Sequence, residues 1–417
     1  MRSEILYIGH RIPFPPNRGD KMRAHHVLKR LAKLAPLHIA TFADDEDDLA
    51  EEVELAAIAR SYKLLRRTKS LVLAGLEALA KGCPVSLTAF YHAELMLYVN
   101  DLLATGKIGT IYLFSSQMGQ YVPDSFTGRI VMDFVDVDSA KFESYAVQKG
   151  GARGWIDGRE ARFLRAEEER LALRADVSLL VSDEEAALFA SRLSAKARAK
   201  CDVRALRLGI DSDFYDPAKV NGQTELCALP APRLIFTGQM DYQPNVAAAL
   251  RAAKRIMPLI RQSLPDASFH VVGRNPTAEL QDCHGTNGVH VWGRVDDIRG
   301  WIKGCDMALV PLEIARGIQN KVMEAMAMEL PVVLTSGAAT GIAAVPGQHY
   351  AVAESDADLA AQVVRLVQNS GDALAMGLAA RKFVVEQRSI NQALAPLAEM
   401  VGGKPRISGA GVAAHAA

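Results

Sequence analysis

The feature that most constrains the fold is an alternation of short apolar segments with longer amphipathic ones, which occurs twice along the chain. In the first half, strand-like segments lie at 5–8, 37–42, 62–65, 110–114, 129–134 and 177–181. In the second half, they lie at 233–236, 268–272, 289–292, 307–310 and 331–334. Short apolar strands separated by helices are typical of a mostly parallel sheet with helices on both faces. The sequence therefore predicts an α/β protein with two doubly wound units.

The stretch between the two halves, 210–232, is rich in Pro, Asp, Asn and Gly and is interpreted as a linker. A length of 417 residues suits two domains, which we predict over 1–210 and 211–380. A helix is predicted over 372–400, and the small-residue tail 403–417 is predicted to be disordered. Ligands of doubly wound sheets bind beyond the carboxyl ends of the strands. We therefore expect the chemistry in the loops that follow strands, facing a cleft between the domains.

Composition excludes several classes of protein. Lys+Arg and Asp+Glu both number 48, and this balance argues against general nucleic-acid binding. The five cysteines contain no Cys-x-x-Cys pair, which fits reduced thiols in a cytoplasmic protein. No apolar run reaches the length of about 18 residues that crosses a bilayer. We expect a cytoplasmic protein, with peripheral contact at the cytoplasmic face of the membrane as a further possibility.

The membrane question centres on 63–76, which is first basic and then apolar. Such a segment can rest on an anionic bilayer. The more common explanation of such a segment is a solvated strand end followed by a core helix. Both interpretations remain open at this point.

The most informative motif is the segment 316–328, RGIQNKVMEAMAM, which lies between two strands of the second half. Gly317 permits close backbone approach, and a helix beginning near Asn320 offers the positive end of its dipole to an anion. Lys321 and Glu324 are three residues apart and share a face of the first turn. A cation there suits a diphosphate, and a carboxylate can accept hydrogen bonds from a ribose diol. The alternative is an ordinary Lys–Glu surface pair.

A second candidate is the loop after the first strand, PFPPNRGDKMR at 13–23, in which Gly19 and several cations precede a helix. This arrangement can cradle phosphate. The alternative is a turn stiffened by proline. Neither GxGxxG nor GxxxxGK[ST] occurs in the chain, which argues against a nicotinamide oxidoreductase and a P-loop enzyme.

Carboxylates at the end of the strand 129–134 form a third candidate. Asp133 and Asp136 could supply a general base or stabilise a developing cation. Asp138 or Ser139 is more simply explained as a helix N-cap. Two carboxylates without further ligands make a weak metal site, so no metal is expected.

Two further loops end strands of the second half with the same dipeptide, Gly273-Arg274 and Gly293-Arg294. Both are expected at the ligand edge of the second sheet, where Arg274 could meet a phosphate. The alternative for both loops is ordinary turn chemistry.

Taken together, these motifs resemble those of retaining nucleotide-sugar glycosyltransferases of family 4, which have the GT-B fold of two Rossmann-like domains. The resemblance covers nearly the whole chain and is carried by PPNRGDKMR, LGIDSDFYDP, FTGQMDYQPNVAAALR, VVGRNP, VWGRVDDI and GIQNKVMEAMAMELPVV. The combination is most similar to sugar transferases associated with exopolysaccharide clusters and the PEP-CTERM/exosortase sorting system.

The resemblance implies roles for single residues. The second Glu of the family's Glu-x7-Glu motif binds the ribose hydroxyls and matches Glu324, whereas the first would fall on Arg316. Lys321 matches a lysine that faces the diphosphate. Asp136 stands where many members place a histidine, with Asp133 as a reserve. The implied donor-binding residues are Gly19, Gly273, Arg274, Gly293, Arg316, Gly317, Ile318, Gln319, Asn320, Lys321 and Glu324.

The family's final helix crosses back to the first domain, so 381–402 is expected to pack there. The implied activity is transfer of a sugar, with retention, from a nucleoside-diphosphate donor to a saccharide or polyprenyl-linked acceptor in exopolysaccharide biosynthesis. No cofactor besides the donor is implied. One alternative is a nucleotide-sugar 2-epimerase of the same fold. The other is an inactive scaffold subunit, because the first Glu and a common Arg/Lys pair are missing.

Overall fold

The computed structural model describes residues 3–16, 19–149, 151–207, 209–313 and 318–402, and the predicted tail 403–417 lies outside these ranges. The described residues up to 207 and those from 393 form one compact unit, and 209–392 form the other. The second unit therefore extends beyond the predicted limit at 380, and the segment 381–402 is divided between the two units. Within the described residues, no helix is long and apolar enough to span a bilayer.

In the first unit, parallel strands pair in the order β3-β2-β1-β4-β5-β6-β7. Every residue of β1 and β2 is buried, because helices cover both faces of a parallel sheet. The strands are β1 (Glu4–Gly9), β2 (Leu37–Ala43), β3 (Ser61–Arg66), β4 (Ile108–Phe114), β5 (Arg129–Val135), β6 (Val177–Leu180) and β7 (Val203–Ala205).

The helices of this unit connect successive strands or follow them. A 3-10 helix spans Ser116–Tyr121. The α-helices are α1 (Gly19–Leu34), α2 (Glu46–Ala50), α3 (Glu52–Ile58), α4 (Leu71–Lys81), α5 (Val85–Ala89), α6 (Ala93–Ala104), α7 (Asp138–Lys149), α8 (Gly151–Arg174), α9 (Asp183–Arg192) and α10 (Ala195–Arg198).

The second unit repeats this construction, with parallel strands in the order β10-β9-β8-β11-β12-β13. Its strands are β8 (Arg233–Thr237), β9 (Ser268–Val272), β10 (Val289–Gly293), β11 (Met307–Val310), β12 (Val332–Leu334) and β13 (Ala351–Val352). Its α-helices are α11 (Thr224–Cys227), α12 (Gln243–Arg251), α13 (Met257–Ser263), α14 (Ala278–Gln281), α15 (Ile298–Lys303), α16 (Asn320–Ala327), α17 (Asp356–Gln368), α18 (Ser370–Phe383) and α19 (Ile390–Ala393), with π-helical turns at Ala252–Ile256 and Val384–Arg388.

The single helix predicted over 372–400 was wrong. Helix α18 ends at Phe383, and Ser389 is extended, with φ −68° and ψ 152°. The extended backbone lets Ile390 N donate to the Ile210 carbonyl at 2.9 Å, and Ile210 N to the Arg388 carbonyl at 2.8 Å. These two hydrogen bonds hold the beginning of the segment 210–232, which was predicted to be a linker, against the end of the second unit.

The chain then returns to the first unit with α20 (Leu397–Gly402). The Val401 carbonyl accepts a hydrogen bond from Thr110 Oγ1 of β4 at 2.9 Å. Leu397 and Met400 of this helix are buried. Apolar burial and this side-chain hydrogen bond therefore fix α20 to the first sheet.

Candidate functional site

The carboxyl edge of the second sheet is formed by three glycine turns that pack backbone against backbone. Gly238 N donates to the Val272 carbonyl at 3.1 Å, and Gly273 N donates to the Gly293 carbonyl at 2.8 Å. A Cβ atom added to Gly273 would lie 1.6 Å from the Gly238 carbonyl oxygen. Only glycine fits there, so the turns after β8, β9 and β10 form one continuous backbone surface.

Arg274 follows the second of these turns and is exposed. Its carbonyl accepts a hydrogen bond from Met240 N at 2.9 Å, which joins the loops after β8 and β9. Its guanidinium has no hydrogen bond or ion pair with the part of the chain that the structure describes. A cation at a strand end with no protein counter-ion can bind an anionic ligand.

Helix α16 begins at this same edge of the sheet. Its buried side is formed by Val322, Met323, Ala325, Met326 and Ala327. Packing of that side leaves Lys321 and Glu324 half-buried at the start of the helix. The positive end of the helix dipole lies beside them.

The three predicted residues before Lys321 are partly or fully accessible. Ile318 and Asn320 are exposed, and Gln319 is half-buried as the N-cap residue. Gln319 Oε1 accepts a hydrogen bond from Lys321 Nζ at 3.4 Å. Two other predicted donor-binding residues, Arg316 and Gly317, lie outside the described residues.

The Lys321 ammonium group is held by residues of two other elements. Its Nζ donates to Asn245 Oδ1 at 3.1 Å and lies 5.4 Å from the centroid of the Phe236 ring. Asn245, on α12, is itself oriented by donating from Nδ2 to the Gln239 carbonyl at 2.9 Å. Burial lowers the pKa of Lys321 to about 8, and the negative charge of Glu324 partly opposes that shift. The group is thus a positioned cation that gives up its proton unusually easily.

The Glu324 carboxylate has a partner from the junction segment. Burial raises its pKa, whereas a hydrogen bond from the Tyr215 hydroxyl and the charge of Lys321 act in the opposite direction. Burial also raises the pKa of Tyr215, with Glu324 adding to the shift, so the phenol stays protonated and donates. Tyr215 therefore orients Glu324, which lies near the start of α16 at the ligand edge of the sheet.

Sequence reasoning missed Tyr215 and Asn245 as members of this site. Both lie in motifs that carried the resemblance, LGIDSDFYDP and FTGQMDYQPNVAAALR. Those motifs were the available signal, but no spacing rule connects them with α16, since Lys321 and Asn245 are 76 residues apart.

The first unit places the two candidate aspartates in very different surroundings. Asp133 is 0% exposed, and its carboxylate accepts hydrogen bonds from Arg23 Nε and Nη2, both at 3.0 Å, and from the Tyr112 hydroxyl at 2.7 Å. Both of its oxygens are therefore engaged inside the core. This environment assigns Asp133 to the stability of the sheet rather than to contact with a substrate.

Asp136 lies just beyond β5 at the carboxyl edge of the first sheet, and its side chain is 37% exposed. Lys141 Nζ donates to its Oδ2 at 2.8 Å, and the same ammonium lies 3.4 Å from Asp138 Oδ1. Burial raises the pKa of Asp138, with Lys141 opposing. Asp136 is thus the more exposed carboxylate of this pair, and its counter-ion is Lys141.

The loop after β1 does not present its cations as the sequence had suggested. Lys21 is buried and donates to Asp48 Oδ1 at 2.5 Å and to the Phe14 carbonyl at 2.9 Å. Arg23 is the buried partner of Asp133. Both cations lie on the inner side of α1, where each forms an ion pair with a buried carboxylate. Gly19 begins this helix, and a Cβ added to it would meet nothing within 4 Å.

Comparison with known proteins matches part of the second unit to a family model. Residues 231–369, which include β8 to β12 and α16, match the family model described as Glycosyl transferases group 1. Sequence comparison with curated proteins gives no match.

Solved structures match nearly the whole chain. Anabaena HepE (Alr3699), solved with UDP and glucose, covers 96% of this chain and 100% of its own, with TM-score 0.59 and 14% identity. Sucrose-phosphate synthase from Thermosynechococcus elongatus covers 96% and 98%, with TM-score 0.60 and 15% identity. WaaG, a glycosyltransferase involved in lipopolysaccharide biosynthesis, covers 96% and 100%, with TM-score 0.57 and 16% identity. The expected GT-B fold of two parallel α/β units is confirmed.

Proposed function

We propose that this chain is a glycosyltransferase that moves a sugar from a nucleoside-diphosphate donor to a saccharide or lipid-linked acceptor, with retention at the anomeric carbon. One observation carries the proposal. Lys321 and Glu324 lie together on the first turn of α16, at the ligand edge of the sheet, inside the segment similar to group 1 glycosyl transferases. On the resemblance of the motifs, we propose exopolysaccharide assembly as its biological setting.

In the proposed complex, Lys321 and the N-terminus of α16 bind the diphosphate, and Glu324 accepts hydrogen bonds from the ribose hydroxyls. Arg274 adds a second cation for the donor, and the turns at Gly273 and Gly293 offer a flat backbone surface to the base. HepE is solved with UDP-glucose, so uridine nucleotides are the first donors to test.

The chemistry follows from this charge arrangement. As the bond between the anomeric carbon and the diphosphate oxygen breaks, its electron pair stays on the diphosphate. A cation and a helix dipole fixed beside that oxygen stabilise the transition state more than the ground state, because the charge develops there. We propose Asp136 as the carboxylate that stabilises the positive charge on the sugar ring or assists the acceptor hydroxyl.

A thermal-shift screen with nucleoside diphosphates and their sugars tests the donor site. A ligand at 100 times its Kd adds about 2.7 kcal/mol to the free energy of unfolding, which raises the melting temperature measurably. We expect one nucleotide series to stabilise the protein. If no nucleotide raises the melting temperature, the donor assignment is wrong and the scaffold alternative is favoured.

Product analysis separates the two enzymatic alternatives. Incubation with the stabilising donor and a crude glycan acceptor should release nucleoside diphosphate and extend the acceptor. If the nucleotide sugar is instead epimerised in the absence of an acceptor, the chain is an epimerase of the same fold.

The pKa of Lys321 makes donor binding dependent on pH. Below pH 8 the ammonium is protonated and binds the diphosphate, and above its pKa of about 8 the free protein must take up a proton to bind. The Kd of the nucleoside diphosphate should therefore increase by up to about tenfold per pH unit between pH 8 and 9.5, when measured by calorimetry.

Two variants control that measurement. Lys321→Met should bind weakly at neutral pH and lose the pH dependence. Lys254→Met removes an exposed lysine that pairs with Glu279 at 2.7 Å, and it should behave like the wild type. A wild-type Kd that stays constant across this range, or the same slope in Lys321→Met, would show that Lys321 does not bind the diphosphate.

A further inference from the structure

Helix α4 of the first unit presents apolar side chains to solvent on its outer face. Leu71, Val72, Leu76 and Leu79 are 69%, 75%, 61% and 56% exposed. The inner face packs through only small side chains, Ala74 and Ala78. A helix that is apolar on both faces is normally enclosed by protein or lipid, so its outer face lacks a covering partner in the described chain.

Helix α8 carries two further exposed apolar side chains. Trp155 and Ile156 are 65% and 51% exposed. One turn further on, Arg159 donates to the Ala78 carbonyl at 2.9 Å and to the Cys83 carbonyl at 3.1 Å, at the end of α4. These bonds hold α8 beside α4. We call the set Leu71, Val72, Leu76, Leu79, Trp155 and Ile156 the docking face.

The acidic groups of α4 and of the first half of α8 are neutralised or buried. Glu77, the acidic residue of α4, pairs with Lys69 at 3.1 Å. On the first half of α8, Asp157 is buried, and Glu160 is buried while accepting from Val85 N at 2.7 Å and Ser86 N at 3.0 Å.

Within α4 and the first half of α8, the charged side chains that remain exposed are cationic. Lys81 ends α4, and its Nζ lies 5.6 Å from the Tyr91 ring centroid. Arg153 and Arg162 are exposed on α8. Their long stems can lie along apolar surface while the charged ends reach outward. The rim of the docking face thus carries positive charge.

We propose that the docking face rests on the surface of an anionic lipid bilayer. Leucines and a tryptophan enter the boundary between headgroups and acyl chains, and the lysine and arginines of the rim bind acidic headgroups. Exposed tryptophan with flanking cations is typical of side chains at that depth. The surface is in the first unit and needs no donor, so its test is independent of the transferase activity. The basic half of the segment 63–76 does not contribute to this surface, because Lys63, Arg66, Arg67 and Lys69 pair with Glu94, Glu46, Asp44 and Glu77.

Vesicle sedimentation with the full chain tests this proposal. We expect binding to vesicles that contain phosphatidylglycerol and much weaker binding to pure phosphatidylcholine, with salt reducing the former. The variant Val72→Glu/Leu76→Glu should weaken binding by about tenfold or more at an unchanged melting temperature, because both positions are exposed. The matched control Val345→Glu/Leu374→Glu changes exposed apolar residues of the second unit and should bind as the wild type does.

Tryptophan fluorescence supplies an independent measurement. The chain has three tryptophans, and Trp155 is exposed whereas Trp301 is buried. Anionic vesicles should shift the emission to shorter wavelength, and Trp155→Phe should abolish the shift while the protein still binds.

Three results would overturn the proposal. The first is a wild-type chain that does not bind anionic vesicles. The second is equal binding by Val72→Glu/Leu76→Glu. The third is a dimer in light scattering that this variant dissociates, without vesicle binding, because the docking face would then join two copies of the chain.

Discussion

Replacing Glu324 with alanine should nearly abolish sugar transfer. In the structure this carboxylate is half-buried, is oriented by the Tyr215 hydroxyl, and lies on the same helical turn as Lys321. Hydrogen bonds to a charged group contribute about 1.5–3 kcal/mol each. Loss of the two bonds proposed to the ribose diol should therefore lower kcat/KM by at least about 100-fold and weaken nucleotide binding in calorimetry. The melting temperature without ligand should change little.

Two matched variants separate charge from shape at this position. Glu324→Gln keeps the side-chain volume but removes the charge, and it should lose most of the activity. Tyr215→Phe removes the partner and keeps the carboxylate, so its loss should be smaller. The Tyr215 hydrogen bond lowers the pKa of Glu324, so its removal should raise that pKa. On acidification, Tyr215→Phe should therefore lose donor affinity at a higher pH than the wild type does. Full activity in Glu324→Ala would refute the assigned role.

Most strands of the fold could be predicted from the sequence, because central parallel strands are continuous apolar runs. The strand predicted at 268–272 coincides with β9, and that at 307–310 coincides with β11. Two edge strands were missed, β7 and β13, which have three and two residues. Strands this short are defined by their pairing with a neighbour and leave no periodic pattern of their own.

The candidate site could be predicted only where its residues belong to one helix. Helical spacing alone brought Lys321 and Glu324 together. Asn245 and Tyr215 reach them from distant segments, which no local rule can foresee. The inward orientation of Lys21 and Arg23 depends on the buried carboxylates of Asp48 and Asp133, which are distant in the sequence. Within a neutral total charge, Lys21 and Arg23 thus form ion pairs in the core, whereas Arg274 and Lys321 lie at the ligand edge.

Replacing Asp133 with alanine should destabilise the first unit strongly. Arg23 is 2% exposed, and both of its bonds to Asp133 lie in the core. Removing one member of a buried ion pair leaves the other charge uncompensated, which costs about 3–5 kcal/mol. The Tyr112 hydroxyl would lose its acceptor as well. Urea unfolding should therefore show a lower midpoint for this unit.

Asp136→Asn is the matched control, because it changes an accessible carboxylate three residues further on. Its unfolding midpoint should stay close to that of the wild type, and its kcat should fall if Asp136 acts on the reacting sugar. The double variant Arg23→Met/Asp133→Leu replaces the buried pair with apolar side chains and should recover part of the stability lost in Asp133→Ala. A stable Asp133→Ala protein with reduced kcat would instead assign the catalytic role to Asp133, because a buried structural pair cannot be broken without loss of stability.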